Sequence, residues 1–220
     1  MVTTETIINA FLALSGGEVL ATILGIAYVI LAAKESIWCW PAAFISTLIY
    51  TVLFWEGQLP MQAILNFYYM AMAIYGFMLW TKHNKNNETL KVKTWKWPKH
   101  LSFILIASIL SIGIGYYLTT NSDTRLPYLD ATVMVFSVIN TWLMAQKILE
   151  NWIYWIFIDA VAIYLYWQTG FYVTIIMFSL YLVLAIYGYK EWRNSFQKSQ
   201  GKIKSEATSK AVEKTKNPFI

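Results

Sequence analysis

Apolar residues run along this chain in long blocks that are separated by short polar breaks. A bilayer core of about 30 Å needs about 20 mostly apolar residues per helix, and seven blocks approach or reach that length. They cover residues 18–33, 38–55, 61–80, 101–119, 129–148, 152–167 and 171–189. The breaks carry turn residues, as in EGQLP at 56–60, and Trp and Tyr gather at many block ends, as at a membrane interface. The pattern predicts an all-α integral membrane protein with seven transmembrane helices.

Composition agrees with a membrane protein. Of 220 residues, 58% are hydrophobic and 13% are charged, which is too apolar for an ordinary water-soluble domain. Residues 1–17 lack the basic region that opens a signal peptide, so we expect a retained segment that lies at the membrane interface. The single cysteine, Cys39, excludes an internal disulfide and is expected to be a small buried side chain.

The positive charges test the number of spans independently. With an odd number, the breaks after the first, third, fifth and seventh spans lie on one side of the membrane. Sixteen of the 17 Lys and Arg residues fall on that side, and the exception is Arg125. By the positive-inside rule that side is the cytoplasm, so we expect the N-terminus outside and the C-terminus inside.

Two of the segments on that side are strongly basic. Residues 81–100 are expected to form a cytoplasmic loop, and residues 193–220 are polar and poor in aromatic residues, which predicts a disordered, solvated tail. Contact of the tail with membrane lipid is the alternative. The positive-inside rule already explains the net charge of +5, so the charge does not indicate a nucleic-acid partner.

The chain contains an internal repeat at an offset of 112 residues. A three-helix unit at 18–80 aligns with a second at 129–192, and a linker helix at 101–119 separates them. The matched landmarks are Trp40/Trp152, Thr47/Asp159, Trp55/Trp167, Tyr69/Tyr181 and AIYGFMLW/AIYGYKEW at 73–80 and 185–192. One intervening helix makes both units start on the same side, which predicts a parallel 3+1+3 repeat of the kind found in transporters.

One carboxylate lies deep in the sixth block, in ENWIYWIFIDA at 150–160. Helical spacing puts Asp159 on one face with Trp152 and Trp155. An acid that faces lipid at this depth costs about 2.5 to 3.5 kcal/mol on insertion scales, so Asp159 should face a cavity or a partner. A flat cation could stack on the indole rings while the carboxylate offsets its charge. The alternative is a structural Asp159, protonated or hydrogen-bonded to a neighbouring helix.

Four further residues are candidates for the same binding site. Asn66 and Asn140 can donate to and accept from a ligand, although hydrogen bonding between helices would explain them as well. Tyr69 and Tyr181 are equivalent in the repeat, and core packing is the commoner role for such residues.

Other classes of protein fit the sequence less well. The only histidines, His83 and His100, lie in the basic loop, which excludes a Ser–His hydrolase within the spans, and no mid-span lysine is present to hold retinal. No Walker motif occurs, and no residues indicate a metal or cofactor, so passive transport is the simplest mechanism. A sugar transporter remains an alternative because indoles also stack on sugars.

Around ENWIYW the chain resembles the Pnu (PnuC/PnuT) family of bacterial vitamin transporters, whose members carry a Trp-x-x-Trp motif on the sixth of seven spans. The likeness covers residues 18–192, including QKILENWIYWIFIDAVAIYLYWQTGFY and AIYGYKEW. It implies a fold similar to a full-length SWEET transporter, a homotrimer in the inner membrane, and facilitated diffusion followed by trapping through cytoplasmic phosphorylation. The role of stacking on the substrate ring would fall on Trp152 and Trp155.

The resemblance implies one of two vitamin substrates, since the family has a nicotinamide riboside branch (PnuC) and a thiamine branch (PnuT). Asn66 stands where a glutamine is expected in nicotinamide riboside transporters, and Asp159 stands where a neutral amide is expected in some of them. A carboxylate suits a substrate with a fixed charge and an aminopyrimidine donor. The sequence therefore favours thiamine, with nicotinamide riboside as the alternative.

Overall fold

The computed structural model describes residues 15–85 and 90–216, and their side chains except at residues 60, 83–85 and 203–216. These residues form seven α-helices: α1 Gly16–Ala33, α2 Cys39–Glu56, α3 Pro60–Lys85, α4 Trp97–Asn121, α5 Pro127–Ala145, α6 Asn151–Thr169 and α7 Tyr172–Lys216. Ser15 and Glu18 cap the start of α1 reciprocally, each side chain accepting from the backbone N–H of the other. The predicted all-α fold is confirmed for this part of the chain. Of the interfacial segment predicted at 1–17, only the last three residues lie within it.

Six of the described helices, all except α6, are long and apolar enough to cross a membrane. The sixth helix is more polar because Asn151, Asp159 and Gln168 stand among its tyrosines and tryptophans. It packs between α5 and α7. The described chain is therefore a multi-pass helical membrane protein, and α6 is less apolar than its other helices.

The helices pack in a ring. The first unit, α1 to α3, is held by contacts of α1 with α2 and of α2 with α3, and the second unit, α5 to α7, is held in the same way. Between the units, α1 packs against α7 and α3 packs against α5, which closes a ring of six helices. The remaining helix, α4, lies outside this ring against α5. The linker helix predicted at 101–119 therefore does not contribute to the ring.

The turns of the two units share one backbone geometry. Glu35 and Lys147, each just after the first helix of its unit, have φ of 55° and 54°. Gln58 and Gly170, each just after the second helix, have φ of 58° and 85°. A residue in this left-handed region is a common way to end a helix. Both pairs are 112 residues apart, so the offset found in the sequence recurs in the backbone of these turns.

Four tryptophans fill the end of the ring that carries the turns at 34–38 and 146–150, which we call the basic end. Trp40 meets Trp80 edge to face with ring centroids 5.4 Å apart, and Trp152 meets Trp192 in the same way at 5.5 Å. Trp80 Nε1 donates to the carbonyl of Ala145 at 3.0 Å. In the other unit, Trp192 Nε1 donates to the carbonyl of an alanine in α1 at 2.9 Å. Each third helix is thus fastened to the first helix of the opposite unit.

The basic end also holds an ion pair and a short β-bridge. Lys147 Nζ lies 2.7 Å from Glu35 Oε2 and 4.3 Å from the centre of the Trp80 ring. The segment between α3 and α4 runs beside the turn that contains Lys147: the Lys93 N–H donates to the Lys147 carbonyl at 3.0 Å, and the Leu149 N–H donates to the Lys93 carbonyl at 2.8 Å. The α5–α6 turn is therefore held by a neighbouring segment as well as by the ion pair.

Two of the predicted polar regions contain more helix than expected. The last helix continues to Lys216, although the sequence predicted a disordered tail from residue 193. Phe196 in the extension packs against the core, and the residues around and beyond it are rich in Lys, Glu, Gln and Ala, which are good helix formers. In the basic loop predicted at 81–100, α3 continues to Lys85, α4 begins at Trp97, and the side chains of Leu90 and Val92 are buried.

Candidate functional site: a cavity inside the helix ring

A cavity of about 280 Å³ lies inside the ring, with walls from all six ring helices and none from α4. Sixteen of its twenty lining residues form eight pairs 112 positions apart, namely Gly25/Ser137, Val29/Thr141, Trp40/Trp152, Ala43/Trp155, Thr47/Asp159, Asn66/Phe178, Tyr69/Tyr181 and Ala73/Ala185. The two units therefore build the cavity from matching positions. Its size is near the lower limit of small-molecule sites, which span about 300 to 1,000 Å³.

Six of the seven candidate residues from the sequence line this cavity, and they come from three different helices. Asn66 and Tyr69 belong to α3, Tyr181 belongs to α7, and the remaining three are the α6 residues Trp152, Trp155 and Asp159. The shared face predicted for α6 is therefore the face that points into the ring.

The seventh candidate, Asn140, lies elsewhere. Its side chain is fully buried, and its Nδ2 donates to the carbonyl of Asn151 at 3.0 Å. Asn151 in turn donates to the carbonyl of Ile148 at 2.6 Å. Both amides thus stabilise the turn from which α6 starts, and Asn151 directly precedes Trp152 in this turn. The bonds are needed because the carbonyl groups of a buried turn require hydrogen-bond partners. At the equivalent position of the first unit, Tyr28 lines the cavity instead.

Among the described residues that line the cavity, Asp159 is the only charged one, and none is a Lys, Arg or His. Asp159 is 3% exposed, and no described residue forms a hydrogen bond or an ion pair with its carboxylate. Its counterpart Thr47 is satisfied locally, since the Thr47 hydroxyl donates to the carbonyl of Ala43 at 2.8 Å. A buried carboxylate without a partner is costly, so this wall favours a ligand that brings a positive charge or hydrogen-bond donors.

The two tryptophans of α6 differ in how tightly they are held. Trp152 is 1% exposed, and a Cβ on Gly188 would lie 2.6 Å from its ring carbons. Trp40 is enclosed in the same way by Gly76, where a Cβ would lie 2.3 Å from its ring. Trp155 is only half-buried, and its counterpart in the first unit is the small residue Ala43. The Trp152 ring is therefore held in place at the basic end of the cavity, whereas Trp155 has more of its ring accessible to a ligand.

The structure adds lining residues that the sequence analysis missed. Ser137 and Thr141 lie one helical turn apart on α5, and the Thr141 hydroxyl donates to the Ser137 carbonyl at 2.8 Å. Tyr50 of α2 also lines the cavity, with its hydroxyl 2.7 Å from that of Thr22. Small hydroxyl residues are ordinary in helix interfaces, so their type alone does not identify them as lining a binding site. The repeat alignment could have drawn attention to them, because Ser137 and Thr141 align with Gly25 and Val29, which have no hydroxyl group.

Asn66 offers an amide on the α3 side of the cavity. Its Nδ2 donates to the carbonyl of Gln62, one turn earlier on the same helix, at 3.0 Å. The Oδ1 atom is then the group that can accept from a ligand. Its counterpart in the second unit is Phe178, so the amide is present on one side only.

Comparison with known proteins gives consistent results. The family model described as "Nicotinamide mononucleotide transporter" matches residues 15–194. The nicotinamide riboside transporter PnuC of Escherichia coli K12 is 24% identical over 207 residues, which cover 83% of this chain and 87% of that protein. The riboflavin/roseoflavin transporter RibM of Streptomyces davaonensis is 24% identical over 184 residues, covering 80% and 83%.

A solved structure shares the fold. The crystal structure of the vitamin B3 transporter PnuC superposes with a TM-score of 0.69 at 23% identity, covering 88% of this chain and 87% of that one. The resemblance to the Pnu family is thereby confirmed, and the family and its structural relative are transporters. This chain belongs to the nicotinamide mononucleotide transporter family and is a multi-pass membrane transporter.

Proposed function

We propose that this protein carries a vitamin with a flat, positively charged ring, in the first place nicotinamide riboside, into the cell by facilitated diffusion across the inner membrane. The observation that carries the proposal is Asp159, a carboxylate in the wall of a largely apolar cavity where no described residue supplies a cation. Trp155 on the same face offers an indole ring on which the cationic ring stacks. The similarity to nicotinamide riboside transporters supports the same substrate.

Two other vitamins are ranked below the riboside. Thiamine, favoured by the sequence alone, receives no support from the relatives, but its fixed charge would suit Asp159 equally well. Riboflavin is the substrate in the name of one relative. It is neutral and larger, so it would leave Asp159 uncompensated in a cavity of about 280 Å³.

For the mechanism we propose alternating access between two three-helix units, α1 to α3 and α5 to α7, as a parallel 3+1+3 repeat with seven spans. In this state the four tryptophans at the basic end close that side, since none of them is more than 5% exposed. By the positive-inside rule the basic end faces the cytoplasm, with the N-terminus outside and the C-terminus inside. Release into the cytoplasm then requires the tryptophans to separate.

Assembly and trapping complete the proposal. The linker helix α4 lies outside the ring and exposes a row of large apolar side chains, among them Leu105, Ile109 and Ile112, to lipid or to a second copy. We propose that the protein forms a homotrimer through this part of the molecule. A separate cytoplasmic kinase would phosphorylate the imported vitamin and so keep it inside, because a phosphate adds charge that the cavity wall disfavours beside Asp159.

Binding and transport assays test the substrate. Isothermal titration on the purified full chain compares nicotinamide riboside, thiamine and riboflavin, and proteoliposomes measure uptake of each without an ion gradient. We expect the riboside to bind and to equilibrate across the membrane. Tighter binding of thiamine would reverse the ranking of the two cations, and binding of riboflavin alone would contradict the role of Asp159.

Asp159→Asn tests the charge directly. We expect the variant to bind nicotinamide riboside about tenfold to hundredfold more weakly, because a charge-assisted contact is lost while the shape is kept. Asp130→Asn is the matched control, since Asp130 lies in the first turn of α5 and outside the cavity. Equal affinities of the two variants would return Asp159 to a structural role.

A further inference from the structure

A second cavity lies on the outside of the helix ring, where the start of α4 packs against the end of α5. It is an open groove of about 390 Å³, which we call the α4–α5 groove. Its walls come from the first turns of α4, from the last turns of α5 and from Trp95 just before α4. No described residue lines both this groove and the cavity inside the ring. The groove is therefore a separate site at the basic end.

Most of the groove surface is apolar and accessible. Ile106 is 54% exposed and Trp142 is 41% exposed. Trp95 contacts the rings of Phe103 and Trp142, with ring centroids 6.5 Å and 6.2 Å away. From Lys99 to Ile106 the groove follows α4 for about 10 Å, at about 1.5 Å per residue. One leaflet of a bilayer has a hydrocarbon layer of about 15 Å, so the groove has the length and the polarity to take the upper part of an acyl chain.

The end of the groove nearest the membrane surface is positively charged. Residues 90–106 contain four lysines and no acidic residue, and Lys99 lines the groove itself. Lys99 Nζ lies 5.9 Å from the centre of the Trp95 ring, and no described residue forms an ion pair or a side-chain hydrogen bond with it. Glu150, the acid that contacts this segment, instead accepts from the Trp95 N–H at 3.3 Å and lies 3.8 Å from His100 Nε2. The ammonium group of Lys99 is therefore available to an anion.

We propose that the α4–α5 groove binds an anionic phospholipid, with the lipid phosphate at Lys99 and one acyl chain along Ile106 and Trp142. Basic pockets between transmembrane helices on the cytoplasmic side are a recognised kind of site for anionic headgroups. The positive-inside rule places the basic end at the cytoplasmic leaflet, where such lipids are present. The site does not depend on which vitamin the protein carries.

Two other occupants match the groove less well. A soluble anion would contact Lys99 but would leave the apolar walls of the groove exposed to water. A second copy of this chain has a better surface nearby, the row that includes Leu105 and Ile109. That row lies roughly a quarter of a turn around α4 from Lys99 and Ile106, because an α-helix has about 3.6 residues per turn. A contact between copies through the row therefore leaves the groove open for lipid.

Native mass spectrometry of the purified full chain tests the kind of occupant. Phosphatidylglycerol and phosphatidylcholine with the same acyl chains are titrated separately, and only the first carries a net negative charge. We expect one phosphatidylglycerol to be retained per chain, with an affinity about fivefold or more above that of phosphatidylcholine. Equal retention of the two lipids would overturn the proposal. Displacement of the bound lipid by glycerol 3-phosphate would also overturn it, since a soluble phosphate would then be sufficient.

Removal of the lysine tests the position of the headgroup. Lys99→Gln should weaken phosphatidylglycerol binding about fivefold, the effect of about one lysine near an anionic lipid surface, and should leave phosphatidylcholine binding unchanged. Lys91→Gln is the matched control, because Lys91 is exposed in the same basic segment but does not line the groove. It should retain the wild-type preference for the anionic lipid. An equal loss in both variants would attribute the preference to general positive charge and would overturn the site.

A second variant tests the shape of the groove without changing its charge. Ser102 is an exposed lining residue whose hydroxyl donates only within α4, to the Pro98 carbonyl at 3.0 Å. Ser102→Leu should obstruct the groove and weaken phosphatidylglycerol binding, while binding of nicotinamide riboside stays unchanged. The riboside titration keeps a failure of this site distinct from a failure of the proposed function. Unchanged lipid binding with an altered number of subunits would assign the groove to a contact between copies and would overturn the proposal.

Discussion

Glu35 and Lys147 are 112 residues apart, share a left-handed backbone with φ of 55° and 54°, and form an ion pair with Nζ 2.7 Å from Oε2. They are equivalent positions of the two units, so the pair joins one unit to the other at the basic end. The Lys147 ammonium also lies 4.3 Å from the centre of the Trp80 ring. Any motion that opens this end between the units must therefore break the ion pair and move Lys147 away from Trp80.

The first prediction concerns closure of the basic end. Glu35→Gln should make this end open more often, because Lys147 loses the negative charge that holds it between the units. The native thiol of Cys39 reports such opening, since Cys39 is the only cysteine, is fully buried and precedes Trp40. We expect maleimide labelling of Cys39 to be several-fold faster in the variant. Glu56→Gln at the opposite end of α2 is the control, and equal rates for both variants would contradict the role of the pair.

A second prediction concerns the glycines against which the buried tryptophans pack. Gly188→Ala should destabilise the protein by about 1 to 3 kcal/mol and weaken riboside binding, because the new methyl group would lie 2.6 Å from the Trp152 ring. Gly113→Ala on α4 has open space around it and should be neutral or slightly stabilising. Thermal unfolding in detergent and titration measure both effects. An unchanged affinity in Gly188→Ala would mean that the position of Trp152 does not matter for binding.

The third prediction compares Trp155, the half-buried tryptophan of α6 that lines the cavity, with a tryptophan of α6 outside the cavity. Trp155→Ala gives this position the residue of its counterpart Ala43, and it should weaken riboside binding at least tenfold because the stacking surface is lost. Trp167→Ala removes an indole that is 63% exposed at the far end of α6 and should not change affinity. Titration of both variants with nicotinamide riboside measures the two affinities. Retained binding in Trp155→Ala would leave stacking to other rings.

A fourth prediction distinguishes the two asparagines. Asn140→Ala should lower the free energy of unfolding by about 1 to 3 kcal/mol, because the carbonyl of Asn151 loses its donor. The folded fraction should still bind the riboside with nearly wild-type affinity. Asn66→Ala should do the reverse, since its hydrogen bond within α3 is exposed and its side chain lines the cavity. Titration beside thermal unfolding tests this, and a large loss of affinity in Asn140→Ala would restore it as a ligand contact.

The sequence predicted the helices and one face of the site because both follow from periodic patterns. Apolar blocks long enough for a bilayer mark most helices, and helical spacing places Asp159, Trp152 and Trp155 on one side. The role of Asn140 was not predictable in this way, since an amide suits a turn and a ligand equally. Whether Asn140 or its counterpart Tyr28 reaches the cavity depends on how α1 and α5 are rotated in the ring. Sequence spacing carries no information on that rotation.

Two polar segments, at residues 193–216 and around Lys93, were also predicted less well, for a different reason. Disorder from residue 193 was inferred from the lack of apolar residues, yet α7 continues to Lys216, with Phe196 packed against the core and good helix formers beyond it. The pairing of Lys93 with the turn at Lys147 joins segments far apart in the chain through backbone groups, which every residue type possesses. Side-chain patterns therefore give no signal for it.

The opposite charges of Glu35 and Lys147 have a consequence for the symmetry of the two units. Two identical three-helix proteins related by a two-fold axis would place the same residue at both positions, so a glutamate would face a glutamate or a lysine a lysine. Like charges at this distance repel, so two identical units would be pushed apart at the point where this chain is held together. The attraction requires that the two positions differ, which a single chain with two non-identical units allows.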